Sequence, residues 1–296
     1  MKENGIIDLI DLPSKRVRVT LSESCRREIF GEAIKVAGSQ QKLSAEIRVP
    51  QSYISNYLSG IFSPTLEVIW KIRRYLVNKG RGDIVWILRR PRAIRKLRAG
   101  RSPLGINFPH FPINFNNPMG AAFAMAFLGD GHIQRQKMRA EYTSFKSELL
   151  RAIIDLSIVL GNVDYYRGER RVIFPSIVGF ILHYGLGLPT GNKMESDPRV
   201  PLFLFKSSKE TIAAALKQIY DDEGSVSPSA IKLRLGKWVP FGQTDYSKPP
   251  RLLLDVKLLA ESLGISVCEP HLSREFSVNS NTSQVWEMCI CSRKNF

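Results

Sequence analysis

Apolar residues recur at helical spacing through the first third of the chain. Phe30, Ala33, Ile34 and Ala37 make one stripe, and Leu66, Ile69, Ile72 and Leu76 make another. Steps of three and four place each set on one face of a helix. Gly38, Val49-Pro50, Gly60, Ser63-Pro64 and Gly80 fall between the stripes, where glycine and proline interrupt helical backbone. The pattern predicts an almost wholly helical stretch over residues 21–97, with residues 16–20 alternating ahead of it as a short strand. Residues 102–120 break the pattern. They hold Pro103, Pro109, Pro112 and Pro118, four asparagines and no Asp, Glu, Lys or Arg, a composition that reads as an extended linker.

Beyond that stretch the periodicity alternates between helix and strand. A helix ending at Leu128 leads to strands near Ile133 and over 141–145, a helix over 148–160, strands over 163–166 and 171–174, and a helix over 177–184. A second round follows, with a helix over 209–220, a strand over 230–235, a helix over 250–263, and strands near Val267 and over 285–291. Two rounds of similar order predict an α+β domain built from two like halves. The expected organisation is an all-α N-terminal domain over 1–101, a linker over 102–119, and a two-half α/β domain over 120–296, divided at about 205/206.

Length and charge sharpen this picture. A chain of 296 residues, 44% hydrophobic, has room for two or three domains. The longest apolar run, residues 119–128, is too short to span a bilayer. The first twenty residues carry no secretory pattern, so a soluble, cytoplasmic protein is expected. Cys25, Cys268, Cys289 and Cys291 are too few and too scattered for a disulfide framework or a zinc site, and are expected to be reduced thiols. The formal net charge is +16, and residues 1–104 hold 21 Lys/Arg against 9 Asp/Glu. That asymmetry suggests a polyanionic partner for the N-terminal part, because basic side chains on phosphates release condensed counterions.

Residues 40–60 have the layout of a helix-turn-helix. Leu43 and Ile47 supply the inner face of a first helix, with the small Ser44 between them. Val49 plugs the turn, and Ile54 with Tyr57 or Leu58 supplies the inner face of a second helix. Gln51, Ser52, Tyr53, Ser55 and Asn56 are then turned outward, where amides and hydroxyls reach base edges and phosphates. The run resembles the phage-repressor class of helix-turn-helix, with Arg48 where that class often has glycine and Pro50 where it often has Ser or Thr. Arg89, Arg90, Arg92, Arg95, Lys96, Arg98 and Arg101 follow without an acid between them, and are expected to contact phosphates beside the reader.

Two further segments carry candidate chemistry. Residues 123–133 and 216–226 each read as a largely apolar helix that ends in a carboxylate and then a glycine, at Asp130-Gly131 and Glu223-Gly224. The glycines are expected to supply a positive φ that stops each helix. A carboxylate at a helix C-terminus is unfavourable, because the helix end is already partly negative. Two such acids held together make sense around a divalent cation, and hard oxygens suit Mg²⁺.

These residues resemble the LAGLIDADG homing endonucleases in their single-chain, two-motif form. The resemblance runs from about residue 114 onward, through Leu128-Gly129-Asp130-Gly131-His132, residues 186–193, and Asp221-Asp222-Glu223-Gly224-Ser225. It implies two motif helices packed at a pseudo-twofold axis, with strands of both halves forming a saddle over DNA. It also implies that Asp130 and Glu223 bind Mg²⁺ and activate water, with support from Gln134, Gln136, Lys232, Arg234 or Lys237. Where the family keeps small residues in the helix seam this chain has Met125 and Gln218, and Ala122, Ala124, Ala126, Ala213, Ala214 and Ala215 are the candidates for close approach. The expected activity is site-specific, Mg²⁺-dependent double-strand DNA cleavage by a monomer, with no membrane partner. The alternative is a DNA-binding regulator that keeps the fold and does not cut. A helical interaction protein fits the charge poorly, and protein splicing is not expected.

Overall fold

The computed structural model describes residues 3–100, 102–228, 230–239, 248–278 and 281–291; Arg101 of the basic run lies outside them. Strands β1 (Ile6–Ile7) and β2 (Val17–Leu21) open the chain. Helices α1 (Glu23–Ala37), α2 (Gln40–Ile47), α3 (Gln51–Ser59), α4 (Leu66–Asn78) and α5 (Val85–Leu88) follow. The Ser22, Ser39 and Thr65 side chains accept from the N–H groups of Cys25, Lys42 and Val68. Each cap satisfies a first-turn donor that no helix carbonyl reaches. Ile29, Phe30, Leu43, Ile47, Ile54, Leu66, Ile69 and Ile72 are buried together, and the Phe30 and Tyr57 rings meet with centroids 5.8 Å apart. The helical expectation fails at its end, because residues 94–99 form strand β3 (Ile94–Ala99). This segment buries Ile94, Leu97 and Ala99 and pairs antiparallel with β2.

Next come β4 (Gly105–Asn107), β5 (Ile113–Asn114), α6 (Pro118–Ala126), β6 (Gly131–Ile133), β7 (Ala140–Thr143) and α7 (Ser147–Leu156). They lead to β8 (Asn162–Val163), β9 (Tyr166–Arg167), β10 (Arg171–Ile173), α8 (Ser176–Phe180) and α9 (Lys193–Ser196). The second round is α10 (Lys209–Glu223), β11 (Gly224–Ser227), β12 (Ala230–Val239), α11 (Arg251–Ser262), β13 (His271–Val278) and β14 (Asn281–Cys291). One four-stranded sheet runs in the order β6-β7-β10-β9 and another in the order β11-β12-β14-β13, all pairs antiparallel. Numbered within each half, both sheets have the order 1-2-4-3, so the repeated helix–strand pattern is a repeated topology. Helices α6 and α10 stand ahead of these sheets and pack against each other.

Residues 102–119, expected from their composition to be an extended linker, carry two short strands that pair with other parts of the chain. Strand β4 pairs with β3 on one side and β8 on the other, and β5 pairs with β1. One sheet, β2-β3-β4-β8, therefore joins the helix-turn-helix part to the first half. Asp164 fastens this seam by accepting from the Gly105 N–H and Asn107 Nδ2, both at 2.9 Å, and pairing with Lys96 at 2.7 Å. Burial works to raise the Asp164 pKa, but these bonds outweigh it and hold the carboxyl below its usual range. Prolines that cannot continue a helix still permit short paired strands between them, a pairing that composition alone does not reveal.

In the second half, Glu287 is only 4% exposed and pairs with Lys232 at 2.9 Å and Arg234 at 2.6 Å. Cys268 and Cys289, far apart in sequence, lie side by side as free thiols, with the Cys289 N–H donating to Cys268 Sγ at 2.9 Å.

Two outcomes follow from these contacts. Replacing Asp164 by Asn should lower unfolding stability by about 1–3 kcal/mol, the usual effect of weakening a hydrogen-bonded carboxylate. Limited proteolysis should then cut first between β3 and β4. Glu287 is depressed to about 2 by its bonds to Lys232 and Arg234. Its contribution is complete above the unfolded value near 4.5 and is lost as pH falls from there toward about 2. Melting curves from pH 7 to pH 3 should show wild type losing about 2–4 °C more than Glu287→Gln; equal losses would contradict this assignment.

Candidate nucleic-acid interface and acid pair

Helix α3 presents a polar outer face because Ile54 and Tyr57 fill its inner one. Gln51, Ser52, Tyr53 and Ser55 are exposed, and Asn56 is half-buried. Val49 is buried in the turn, and Ser44 is half-buried on α2. Arg48 ends α2 at φ 53°, ψ 55°, a left-handed conformation that glycine adopts without the Cβ penalty Arg48 bears. Pro50 precedes α3 without a side-chain cap, and its carbonyl receives the Tyr53 N–H at 3.0 Å. The Tyr53 ring stands 6.1 Å from Tyr57 and 6.2 Å from Phe62, so it is propped at the surface.

The basic run is divided in its use. Arg89 pairs with Asp8. Arg90 makes a two-pronged pair with Glu28 at 2.7 and 3.0 Å and lies 3.8 Å over the Trp86 ring. Lys96 holds Asp164, and Arg98 donates to Ser63 Oγ at 3.1 Å. Arg92 and Arg95 are exposed. Four of these six therefore brace the fold, whereas the sequence offered all of them to phosphate.

The acid motifs come together through α6 and α10. Glu223 is the last residue of α10. Asp130 lies one tight turn beyond α6, in which the Leu128 and Gly129 N–H groups both donate to the Met125 carbonyl. The motif glycines do not work through positive φ: Gly224 is extended at φ −86°, and Gly131 is not in the left-handed region. Space is what they provide. A Cβ on Gly131 would stand 2.8 Å from the Ala126 carbonyl oxygen, and one on Gly224 2.3 Å from that of Tyr220. Gly129 serves the seam itself, since a Cβ there would lie 2.4 Å from Asp222 Oδ2.

Met125 and Gln218 are both buried at the motif helices. Gln218 Nε2 donates to Asp222 Oδ1 at 2.9 Å, and the Tyr142 hydroxyl donates to the same oxygen. Ala122 and Ala214 line a groove with Gln218, Ala124, Ala126 and Ala215 are buried, and Ala213 faces solvent. Asp222 is thus a third acid in the cluster. Its position four residues after Gln218 was the available sign of it, since that spacing brings two helical side chains together.

Lys193 was not among the supporting candidates, yet it enters the cluster. Its ammonium donates to the Leu128 carbonyl at 3.1 Å and to the Gly129 carbonyl, and it interacts electrostatically with Glu223, Asp130 and Asp222. Burial raises the pKa of Asp130 and of Glu223, and Lys193 pulls each back. Burial, with the Asp130 charge adding to it, pushes Asp222 up to about 7 against the bonds from Tyr142 and Gln218. Burial lowers the Lys193 pKa, and the three acids oppose that.

The five sequence candidates have other contacts or none of this kind. Gln134 donates to Glu141 at 2.6 Å, Lys232 and Arg234 hold Glu287, and Lys237 lies 3.9 Å from Asp197. Gln136 is exposed in the turn between β6 and β7. His132 lies 3.5 Å from Glu141. Among the described residues, no group of three or more His, Cys, Asp or Glu is arranged to hold a metal. No helix among them is long and apolar enough to cross a membrane.

The helix-turn-helix family profile matches residues 37–76, which span α2, α3 and most of α4. No curated protein matches the chain. Solved structures similar to it include mesophilic variants of the homing endonuclease I-DmoI, at 14% identity over 61% of this chain and 92% of that one, with a TM-score of 0.36. I-DmoI with DNA and Mn is 14% identical over 61% and 92%, with a TM-score of 0.38. I-DmoI with DNA and Ca is 16% identical over 61% and 85%, with a TM-score of 0.36.

Proposed function

We propose that this protein binds double-stranded DNA through α3 and cleaves it at Asp130 and Glu223 with a divalent cation of the Mg²⁺ class. The observation that carries the reading is the packing of α6 against α10, with Gly129 pressed on Asp222. It brings one acid motif from each topological half together beside main-chain carbonyls and puts Asp130 and Glu223 within electrostatic reach of each other. The donor chemistry fits a hard cation, because carboxylate and carbonyl oxygens are the ligands such ions take. Asp130 and Glu223 would hold it, and when bound it supplies Lewis-acid activation of water toward phosphate. Tyr142 and Gln218 engage Asp222 Oδ1, which turns that acid toward the seam and leaves Asp130 and Glu223 as the pair available to a ligand.

On the N-terminal side, the exposed amide and hydroxyl groups of α3 suit base edges in the major groove. Arg92 and Arg95 are free to approach phosphates. The sheet β2-β3-β4-β8 links the reader to the acid pair without an intervening free linker, so both would engage one continuous site. A second reading, a regulator that binds DNA and does not cut, is favoured by one observation. Lys193 already supplies positive charge at the acid pair.

Two measurements test these readings. Fluorescence anisotropy with a selected duplex should show Gln51→Ala weakening specific binding by about 1–3 kcal/mol, the range for one good base contact. Affinity for random DNA should change little. Incubation with a plasmid library should give linear product with Mg²⁺ and none with Ca²⁺. Asp130→Asn and Glu223→Gln should each abolish the product while retaining binding. Tight, salt-sensitive binding with no product from wild type would support the regulator instead.

A further inference from the structure

Lys193 reaches the acid pair from the segment between the two halves, and the surroundings fix its approach. The Gly191 N–H donates to the Ile133 carbonyl at 2.7 Å, which pins the preceding turn to the end of β6. Asn192 then caps α9 by accepting from the Met194 N–H at 3.0 Å. Lys193, the first residue of α9, is thereby aimed at the turn after α6. That turn offers carbonyl oxygens that no helical N–H satisfies, at the partly negative end of the helix. The Lys193 ammonium takes two of them, those of Leu128 and Gly129, and compensates the charges of Asp130, Asp222 and Glu223.

We propose that Lys193 is a resident cation of the acid site: its ammonium holds the position that a divalent cation would take, so the halves stay joined without metal and metal must displace the amine. The carbonyls that Lys193 contacts, and the carboxylate of Glu223, which lines a cavity with it, are the hard oxygens such an ion requires. That cavity, of about 220 Å³, lies beside the amine and is lined in part by Lys193, Met194, Glu223, Leu235 and Leu252. It gives the side chain room to withdraw. The proposal rests on the reading that metal binds at Asp130 and Glu223. It does not depend on whether DNA is then cut.

The test uses the full chain and Mn²⁺ as the probe, read by melting temperature and by electron paramagnetic resonance of free and bound ion. Wild type should melt at the same temperature in EDTA and in low Mn²⁺. Lys193→Met should melt about 5 °C lower in EDTA and recover with Mn²⁺, as expected when a ligand binds only the folded state. It should also bind Mn²⁺ about tenfold or more tightly than wild type, with Lys193→Arg staying metal-independent. If Lys193→Met binds Mn²⁺ no more tightly than wild type, the resident-cation proposal is overturned while the metal reading stands. If neither protein binds Mn²⁺, both fail.

A measurement on wild type alone covers the case in which Lys193→Met does not fold. Reductive methylation followed by mass spectrometry should find Lys193 protected in EDTA and labelled in millimolar Mn²⁺. Equal labelling in the two conditions would overturn the proposal.

Discussion

Pressing two helix ends together places like charges where water is scarce. The turn after α6 and the tip of α10 bring Asp130, Asp222 and Glu223 into one cluster, and burial alone raises the pKa of all three. An isolated carboxylate in such a place would neutralise or force the helices apart. The cluster persists because each acid has a counterpart. Asp222 accepts from Tyr142 and Gln218, while Lys193 compensates the group as a whole. The small residue at Gly129 permits the contact in the first place. The α6–α10 junction, the relation between the two sheets, and the candidate chemistry all depend on this balance of charge.

A second constraint acts at the other end of the first half. The helix-turn-helix helices are not strung on a tether, because β3 is paired to β4, and β4 to β8 of the first half. Asp164, directly after β8, binds β3 through Lys96 and β4 through Gly105 and Asn107. Much of the positive charge that would mark a DNA-binding face is used here and nearby to hold the molecule together. Charge therefore indicates the reader less directly than its distribution along the sequence suggests. The polar face of α3 and the two exposed arginines carry that indication instead.

The helices and the repeated order of elements were legible because apolar periodicity is local. So were the inner residues of α2 and α3, and the approach of the two acid motifs. What stayed hidden depends on distant contacts. The β4 pairing gives a proline-rich segment a role that its composition conceals. The exposed residues 271–276 of β13 show no apolar alternation, since that strand lies at a sheet edge. Cys268 and Cys289 are brought together by the bridge near Val267 and Ile290. Lys193 sits on a four-residue helix whose direction is set by Gly191 and Ile133, and nothing in the spacing of its own neighbours ties it to Asp130. Gly131 and Gly224 are needed for room and not for a positive φ, and a glycine in a sequence signals backbone angle and free space alike.

The claim that one molecule reads DNA with α3 and acts on it at the acid pair is tested most directly by sequencing DNA ends. Genomic fragments would be incubated with the protein in millimolar Mg²⁺, and new ends mapped against the sequence enriched by binding. The account predicts ends at one fixed offset from the shared sequence, absent with Asp130→Asn. An enriched sequence without new ends, or ends scattered at many offsets, would contradict it.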